Sequence, residues 1–519
     1  MIVYYLLMNL LRQLTADARY EFFTPGKVLM STIHDQAMNY VYQQVLQRLL
    51  SFFSRAERTA LQLLIQRLVV AAGGMERMGD YKVMVTPSGT RDSCYTLALL
   101  RAAQLSIAGR APATFQLRVA MLRRSGSGAA PGNMHRSFAA LFLYDDPRVE
   151  LLMVDHRHVL PFNHLTPPDK DSTQANRTNL LMMGHRRGAD EKIELWGEAC
   201  LARAEFCGQI ARWGKGVDAW VASESLRRQK QFIDNLDRAV QKAGIGALPP
   251  NAGTFDELFA LLDGLGGDLY RGFYAEAERL SWRPEDGFES CRRTTFVDIH
   301  DMVVGNLEER WPLLSEFLGF QAEEWLFHQD EGEYADPLIE AHLRGLEAEF
   351  VDGRSYEAGF SQHVQHMLVS MQQQRVPEPV CEQMIARLGP QSALDELREA
   401  AANCIQATYG LNETQWICLL FSPFINRGAG LERFLRSCHP GMLVAMPDLH
   451  RAMQGLHGPE QVLQWMMDVS GLPVRLISRL YAMESLPVCG AAPHATGAAQ
   501  QTADLDGIDI SVGDRSAER

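Results

Sequence analysis

Between Tyr81 and Leu100 the chain reads YKVMVTPSGTRDSCYTLALL. Ser88, Gly89, Thr90, Arg91, Asp92 and Ser93 follow one another there. Hydroxyls, and the backbone N–H groups that a glycine turn can aim inward, are the donors an oxyanion such as phosphate requires. The flanks say how such donors would be held. A β-branched run, Lys82-Val83-Met84-Val85-Thr86, precedes the turn, and Tyr95, Leu97, Leu99, Leu100 and Leu105 follow at helical spacing. Strand, tight polar turn and helix place the helix's unpaired N–H groups and positive dipole end at the turn. A turn that binds nothing draws on the same residue types, because Ser, Gly and Asp suit turns and helix N-caps. Both readings fit the residues.

The elements around this turn alternate. Candidate strands lie at 83–86, 115–121, 149–154, 179–183 and 219–222, with helical patterns at 94–105, 134–143 and 195–213. This spacing is that of βαβ units. Short, nearly continuous apolar strands suit a parallel sheet covered on both faces. The expected fold is therefore α/β, a five-stranded doubly wound parallel sheet. Its ligand crevice lies beyond the carboxyl ends of the strands. The residues to inspect are Ser88–Ser93, then Arg123, Arg124, Ser125 and Gly126, and then Asp155, His156, Arg157 and His158. Gly184, His185, Arg186, Arg187, Gly188, Asp190 and Glu191 follow the fourth strand, and Ser223, Glu224, Ser225, Arg227, Arg228 and Lys230 the fifth. Basic residues recur at these ends, which suits an anionic ligand.

SGTRDS resembles the SGGxDS loop of the PP-loop ATP pyrophosphatases, which include tRNA-modifying and deazaguanine-synthesising enzymes. Ser88, Gly89, Asp92 and Ser93 match, and Thr90 replaces the second glycine. GHRRGADEKIE, from Gly184, resembles the family's GHxxDDxxE segment with two extra residues; Gly184, His185, Asp190, Glu191 and Glu194 match. The VDHRH stretch is similar to the VDHGL segment of the same enzymes. The resemblance covers about residues 80–230. It implies an adenine nucleotide alpha-hydrolase-like fold, ATP as substrate and Mg²⁺ as cofactor. It also implies release of pyrophosphate as a substrate oxygen is adenylated. Ser88, Gly89, Thr90, Asp92 and Ser93 would hold pyrophosphate, with Asp92 and Ser93 closest to the chemistry. Arg91, Arg123, Arg124, Arg186 and Arg187 would neutralise its charge, Gly184 and His185 would line the site, and Asp190 and Glu191 would hold Mg²⁺. Asp190 and Glu191 equally suit the first turn of a helix.

The remaining sequence sets bounds. A chain of 519 residues is too long for one core. Residues 1–79 read as a helical N-terminal segment, 80–245 as the nucleotide-binding domain, 254–487 as a large helical domain and 488–519 as a disordered tail. A net charge of −13 disfavours a surface devoted to nucleic acid and leaves room for a local basic patch. Nine cysteines without CxxC spacing read as reduced thiols of a cytoplasmic protein. The apolar start MIVYYLLMNLLRQL is too short to span a bilayer; it fits a buried helix or, less well, an export signal. Cys200 and Cys207 share a helix face without metal spacing, and Trp311, Trp325, Trp416 and Trp465 sit in apolar patterns that suit a core. Two other classes remain open: a catalytically degenerate PP-loop-like protein, and a non-enzymatic regulator or effector whose helical part binds a protein partner.

Overall fold

The computed structural model describes residues 26–111, 113–123, 130–155, 158–186, 196–224, 226–242, 294–303, 307–321, 337–373, 376, 378–389 and 393–484. Two helices come first, α1 (Gly26–Phe52) and α2 (Arg55–Ala72). Ser54 starts α2 through a capping box with Glu57, and Gly73 ends it at φ +78°. Both pack on α3 (Arg91–Ala108). This helix is buried without interruption from Cys94 to Ile107, and its buried polar side chains find partners, Arg101 on Asp146 and Gln104 on the Phe115 carbonyl.

Among the described residues the sheet has six strands: β1 (Lys82–Val85), β2 (Gln116–Arg123), β3 (Val149–Asp155), β4 (His158–Pro161), β5 (Ala219–Ala222) and β6 (Thr295–Asp298). Their order is β4-β3-β2-β1-β5-β6. All pairs are parallel except β3–β4, which is antiparallel. Between the strands run α4 (Ala130–Ala140), α5 (Lys170–His185), α6 (Trp196–Arg212) and α7 (Leu226–Lys242). The architecture is thus α/β with a mostly parallel sheet and a helical majority. Val83, Met84, Val85 and all of Ala219–Ala222 are buried, as central parallel strands require.

The strand expected at 179–183 is instead the end of α5. Asp169, after two prolines, caps that helix by accepting from the N–H groups of Asp171 and Ser172. Leu180–Met183 look like a buried strand because this last part of the helix is enclosed on all sides. Two strands went unread. β4 is a short edge strand ending in proline, and β6 arises far along the chain, within the segment expected to be helical.

After β6 come α8 (Leu307–Pro312), α9 (Pro337–Phe350), α10 (Tyr356–Gln373), α11 (Glu378–Leu388), α12 (Leu394–Tyr409), α13 (Glu413–Phe421), α14 (Leu431–Cys438), α15 (Met446–Met453), α16 (Glu460–Ser470) and α17 (Val474–Ala482). Arg177 on α5 ties these helices to the sheet's own. It donates to the carbonyls of Gly410 (3.0 Å) and Gly471 (2.9 Å), the left-handed caps of α12 and α16. A cation there also favours both helix dipoles. Trp416 is wholly buried, and Trp311 and Trp465 pack against the same core. Among the described residues, no helix is long and apolar enough to cross a membrane. The first 25 residues and the tail from 488 lie outside the described residues.

Candidate functional site

The strand order reverses between β1 and β5: β2 and β3 extend from one side of β1, and β5 and β6 from the other. A parallel sheet opens a crevice at such a point, outside the carboxyl ends of its strands. The Ser88–Ser93 loop stands there, joining the carboxyl end of β1 to α3. Gly89 has φ +82°, and a Cβ on it would lie 2.6 Å from the Cβ and 2.8 Å from the Cα of Ala130. Both the dihedral and the contact demand glycine. Since Ala130 opens α4, the loop also rests on the start of the helix after β2.

The loop hydroxyls form a chain. Ser88 Oγ is 3.2 Å from Thr90 Oγ1, Thr90 Oγ1 donates to Ser93 Oγ at 3.2 Å, and Ser93 Oγ donates to the Thr90 carbonyl at 2.9 Å. Thr90 is the N-cap residue of α3, yet its side chain makes no capping bond to the helix backbone.

Asp92 lies in the first turn of α3 and gathers three guanidinium groups. Arg310, on α8, stands 3.3 Å away, Arg228, on α7, 3.6 Å, and the adjacent Arg91 3.9 Å. Burial pulls the Arg91 guanidinium below its usual range. Asp92 opposes that shift, and Arg228 and Arg310 add to it. Arg310 also lies 5.2 Å over the Tyr95 ring, and the Tyr95 hydroxyl donates to Glu57 at 2.7 Å. Burial, then Glu57, raises the Tyr95 hydroxyl well above its usual value, so it stays a donor.

The β5 side is fastened to the residues on either side of the loop. The Thr96 and Ser223 hydroxyls are 2.5 Å apart, and Trp220 Nε1 donates to Thr86 Oγ1 at 3.2 Å. Glu224 pairs with Arg203 at 2.7 Å, and Asp298, at the end of β6, accepts from Gln229 and contacts His300 Nδ1 at 2.9 Å.

Other expected site residues stand elsewhere. Arg123 is buried in an ion pair with Asp155 at 3.0 Å and donates to the Thr166 carbonyl, so it binds β2 to β3 and the following loop. Gly184 approaches Leu419, and the buried His185 ring meets Phe424 at 5.6 Å, both against the C-terminal helices. Arg186, just after α5, is buried and its guanidinium lowered by that burial. Arg124, His156, Arg157, Arg187, Asp190 and Glu191 lie outside the described residues. Burial pushes the Cys94 thiol, beside the loop, up to about 12, which removes it as a nucleophile near neutral pH. Arg310 had no local signal: it is 218 positions from its carboxylate partner.

The donor set fits phosphate: three hydroxyls, a helix start and three guanidiniums. The loop by itself offers no Mg²⁺ site: Asp92 is its own carboxylate, three cations already face it, and a hard dication needs several oxygen ligands; the expected ligands Asp190 and Glu191 lie outside the described residues. Among the described residues, no group of three or more His, Cys, Asp or Glu side chains could hold a metal ion. The chain matches no protein family, no curated protein and no solved structure with which it was compared.

Proposed function

We propose that the protein binds ATP at the β1–β5 crevice and adenylates a substrate oxygen, in the manner of the PP-loop ATP pyrophosphatases. The carrying observation is the hydroxyl-rich Ser88–Ser93 loop at the carboxyl end of β1, where the strand order reverses. A doubly wound, adenine nucleotide alpha-hydrolase-like sheet is the finer reading of that order. In the reaction, a substrate carbonyl or carboxylate oxygen attacks the α-phosphorus of ATP. The bond from that phosphorus to the α–β bridging oxygen breaks, and pyrophosphate leaves with the electron pair. Ser88, Thr90 and Ser93 donate to the departing phosphates, and the start of α3 and the nearby guanidiniums stabilise the developing charge.

The test is calorimetry of ATP binding together with an assay of pyrophosphate release. Ser93→Ala removes a hydroxyl donor to a charged acceptor, worth about 1.5–3 kcal/mol, so affinity falls on the order of tenfold to a hundredfold. Absence of both ATP binding and pyrophosphate release in the wild type sinks the proposal.

The Thr90 contacts favour a second reading, that of a catalytically degenerate relative. Thr90 and Ser93 bond each other, and Ser93 also bonds the Thr90 carbonyl. Thr90→Gly separates the two. A functional loop adapted to threonine keeps or loses affinity on this change, whereas a degenerate one gains it.

A further inference from the structure

Asp92 is shared among several guanidiniums, and Arg310 donates to it. Several arginines elsewhere in this chain close on carboxylates at 2.7 Å, among them Arg101 on Asp146, Arg118 on Glu150 and Arg203 on Glu224. Strong charge-assisted bonds have that length. Around Asp92 the distances are 3.3, 3.6 and 3.9 Å, with three guanidiniums facing one carboxylate. The three arginines come from three elements, Arg91 from α3 beside Asp92 itself, Arg228 from α7 and Arg310 from α8. Arg310 is the most firmly placed. Its guanidinium lies over Tyr95, and Tyr95 is held by Glu57, itself fixed in the cap of α2.

We propose that Arg228 and Arg310 are a polyphosphate clamp: they grip a ligand with at least two linked phosphoryl groups while the Ser88–Ser93 hydroxyls hold its other end. The inference rests on the nucleotide reading for the carrier of that polyphosphate, and assigns its recognition to residues the loop motif does not contain. Asp92 is then no phosphate ligand, since like charges repel. Its carboxylate gathers the guanidiniums at the mouth of the loop. Two planar forks on separate helices match the oxygens of neighbouring phosphoryl groups better than those of a single one. The clamp therefore selects pyrophosphate or a triphosphate tail over orthophosphate.

The full-length protein is titrated by calorimetry with inorganic pyrophosphate, orthophosphate and ATP, for the wild type and the variants Arg228→Gln, Arg310→Gln and Arg310→Lys. Pyrophosphate is expected to bind about tenfold or more tighter than orthophosphate. Each glutamine variant should weaken pyrophosphate binding about tenfold or more, and Arg310→Lys should weaken it less. Should Arg310→Gln fail to fold by circular dichroism, Arg228→Gln decides alone, because that side chain is 43% exposed. Pyrophosphate binding that neither glutamine variant weakens, or no pyrophosphate binding by the wild type, overturns the clamp. Arginine-dependent pyrophosphate binding without ATP binding leaves the clamp standing and removes the nucleotide reading. ATP binding indifferent to both arginines does the reverse.

Discussion

The hydroxyls of Thr96 and Ser223 meet at 2.5 Å, linking the helix that follows β1 to the residue that follows β5. The bond spans the seam where the strand order reverses, beside the direct pairing of β1 with β5. Removing one partner with Ser223→Ala should cost about 1 kcal/mol, the net worth of one such bond; Thr96→Val should cost more, because the Thr96 hydroxyl also donates to the Asp92 carbonyl at 2.8 Å. The double variant should cost less than the sum of the two, since both lose the same interaction. Urea denaturation of the three variants measures this; full additivity would show that the contact carries no energy.

Gly89→Ala should be far more damaging than its one added methyl suggests. The φ of +82° strains any side chain by about 1–3 kcal/mol. The new Cβ would also press on the Ala130 backbone, and overpacking adds about 1–3 kcal/mol. The expected total of about 2–6 kcal/mol should appear as a large fall in denaturation midpoint. A variant as stable as the wild type would mean that the loop does not rest on α4.

The buried pair Arg101–Asp146 gives a prediction away from the site. Both side chains are fully buried at 2.7 Å, and Arg148 adds a second bond to the same carboxylate. Burial alone would raise Asp146, but the Arg148 hydrogen bonds and the Arg101 charge outweigh it and bring the carboxyl to about 2. Asp146→Asn leaves the Arg101 charge uncompensated in the core and should cost about 3–5 kcal/mol at neutral pH. The folded value lies below the unfolded one. The carboxylate's stabilisation is therefore present above the unfolded value and lost as pH falls through about 2. Denaturation of wild type and variant at neutral pH measures the cost, and a loss under 1 kcal/mol would be too small for an uncompensated buried charge.

His342, on α9, predicts a second pH dependence in a different window. The ring is fully buried; its Nδ1 lies 2.7 Å from the Tyr356 hydroxyl and its Nε2 3.9 Å from Glu413. Burial lowers its pKa to about 4, Glu413 opposing and Arg398 assisting. The native state thus holds the neutral ring while the unfolded chain takes a proton. Stability should be full above about pH 6.5 and fall as pH drops towards 4, by up to about 3 kcal/mol. His342→Gln should flatten the decline between pH 6.5 and 4 in a denaturation series. An unchanged slope would show that other groups cause it.

Local patterning made much of the sheet legible, and the limits of locality account for the rest. The turn from Pro87 to Ser93 announces itself because strand, turn chemistry and helix agree over some twenty residues. Residues 179–183 misled because a short apolar run has no periodicity to separate a buried strand from an enclosed helix end. The overlooked signal was upstream, where Pro167-Pro168-Asp169 marks a helix start. Arg123 and Arg186 were attractive as cations near expected strand ends, but charge says nothing about partner. Asp155 takes the first, and the second is buried. Arg310 and Tyr95 join the site through contacts that only the folded chain makes.

The position of β6 bears on how the protein is made. Synthesis delivers a chain from its N-terminus, and folding begins before the chain is complete. A ribosome that has released residues through Lys242 has supplied the Ser88–Ser93 loop and the parallel strands β1, β2, β3 and β5. It has supplied neither β6, which begins at Thr295, nor Arg310. The nascent sheet at that stage presents the open edge of β5 to its surroundings, a template for pairing with another chain. Completing the edge and bringing Arg310 to Asp92 then fall in the same late interval of translation, so a nascent chain acquires its third arginine only as its sheet is sealed.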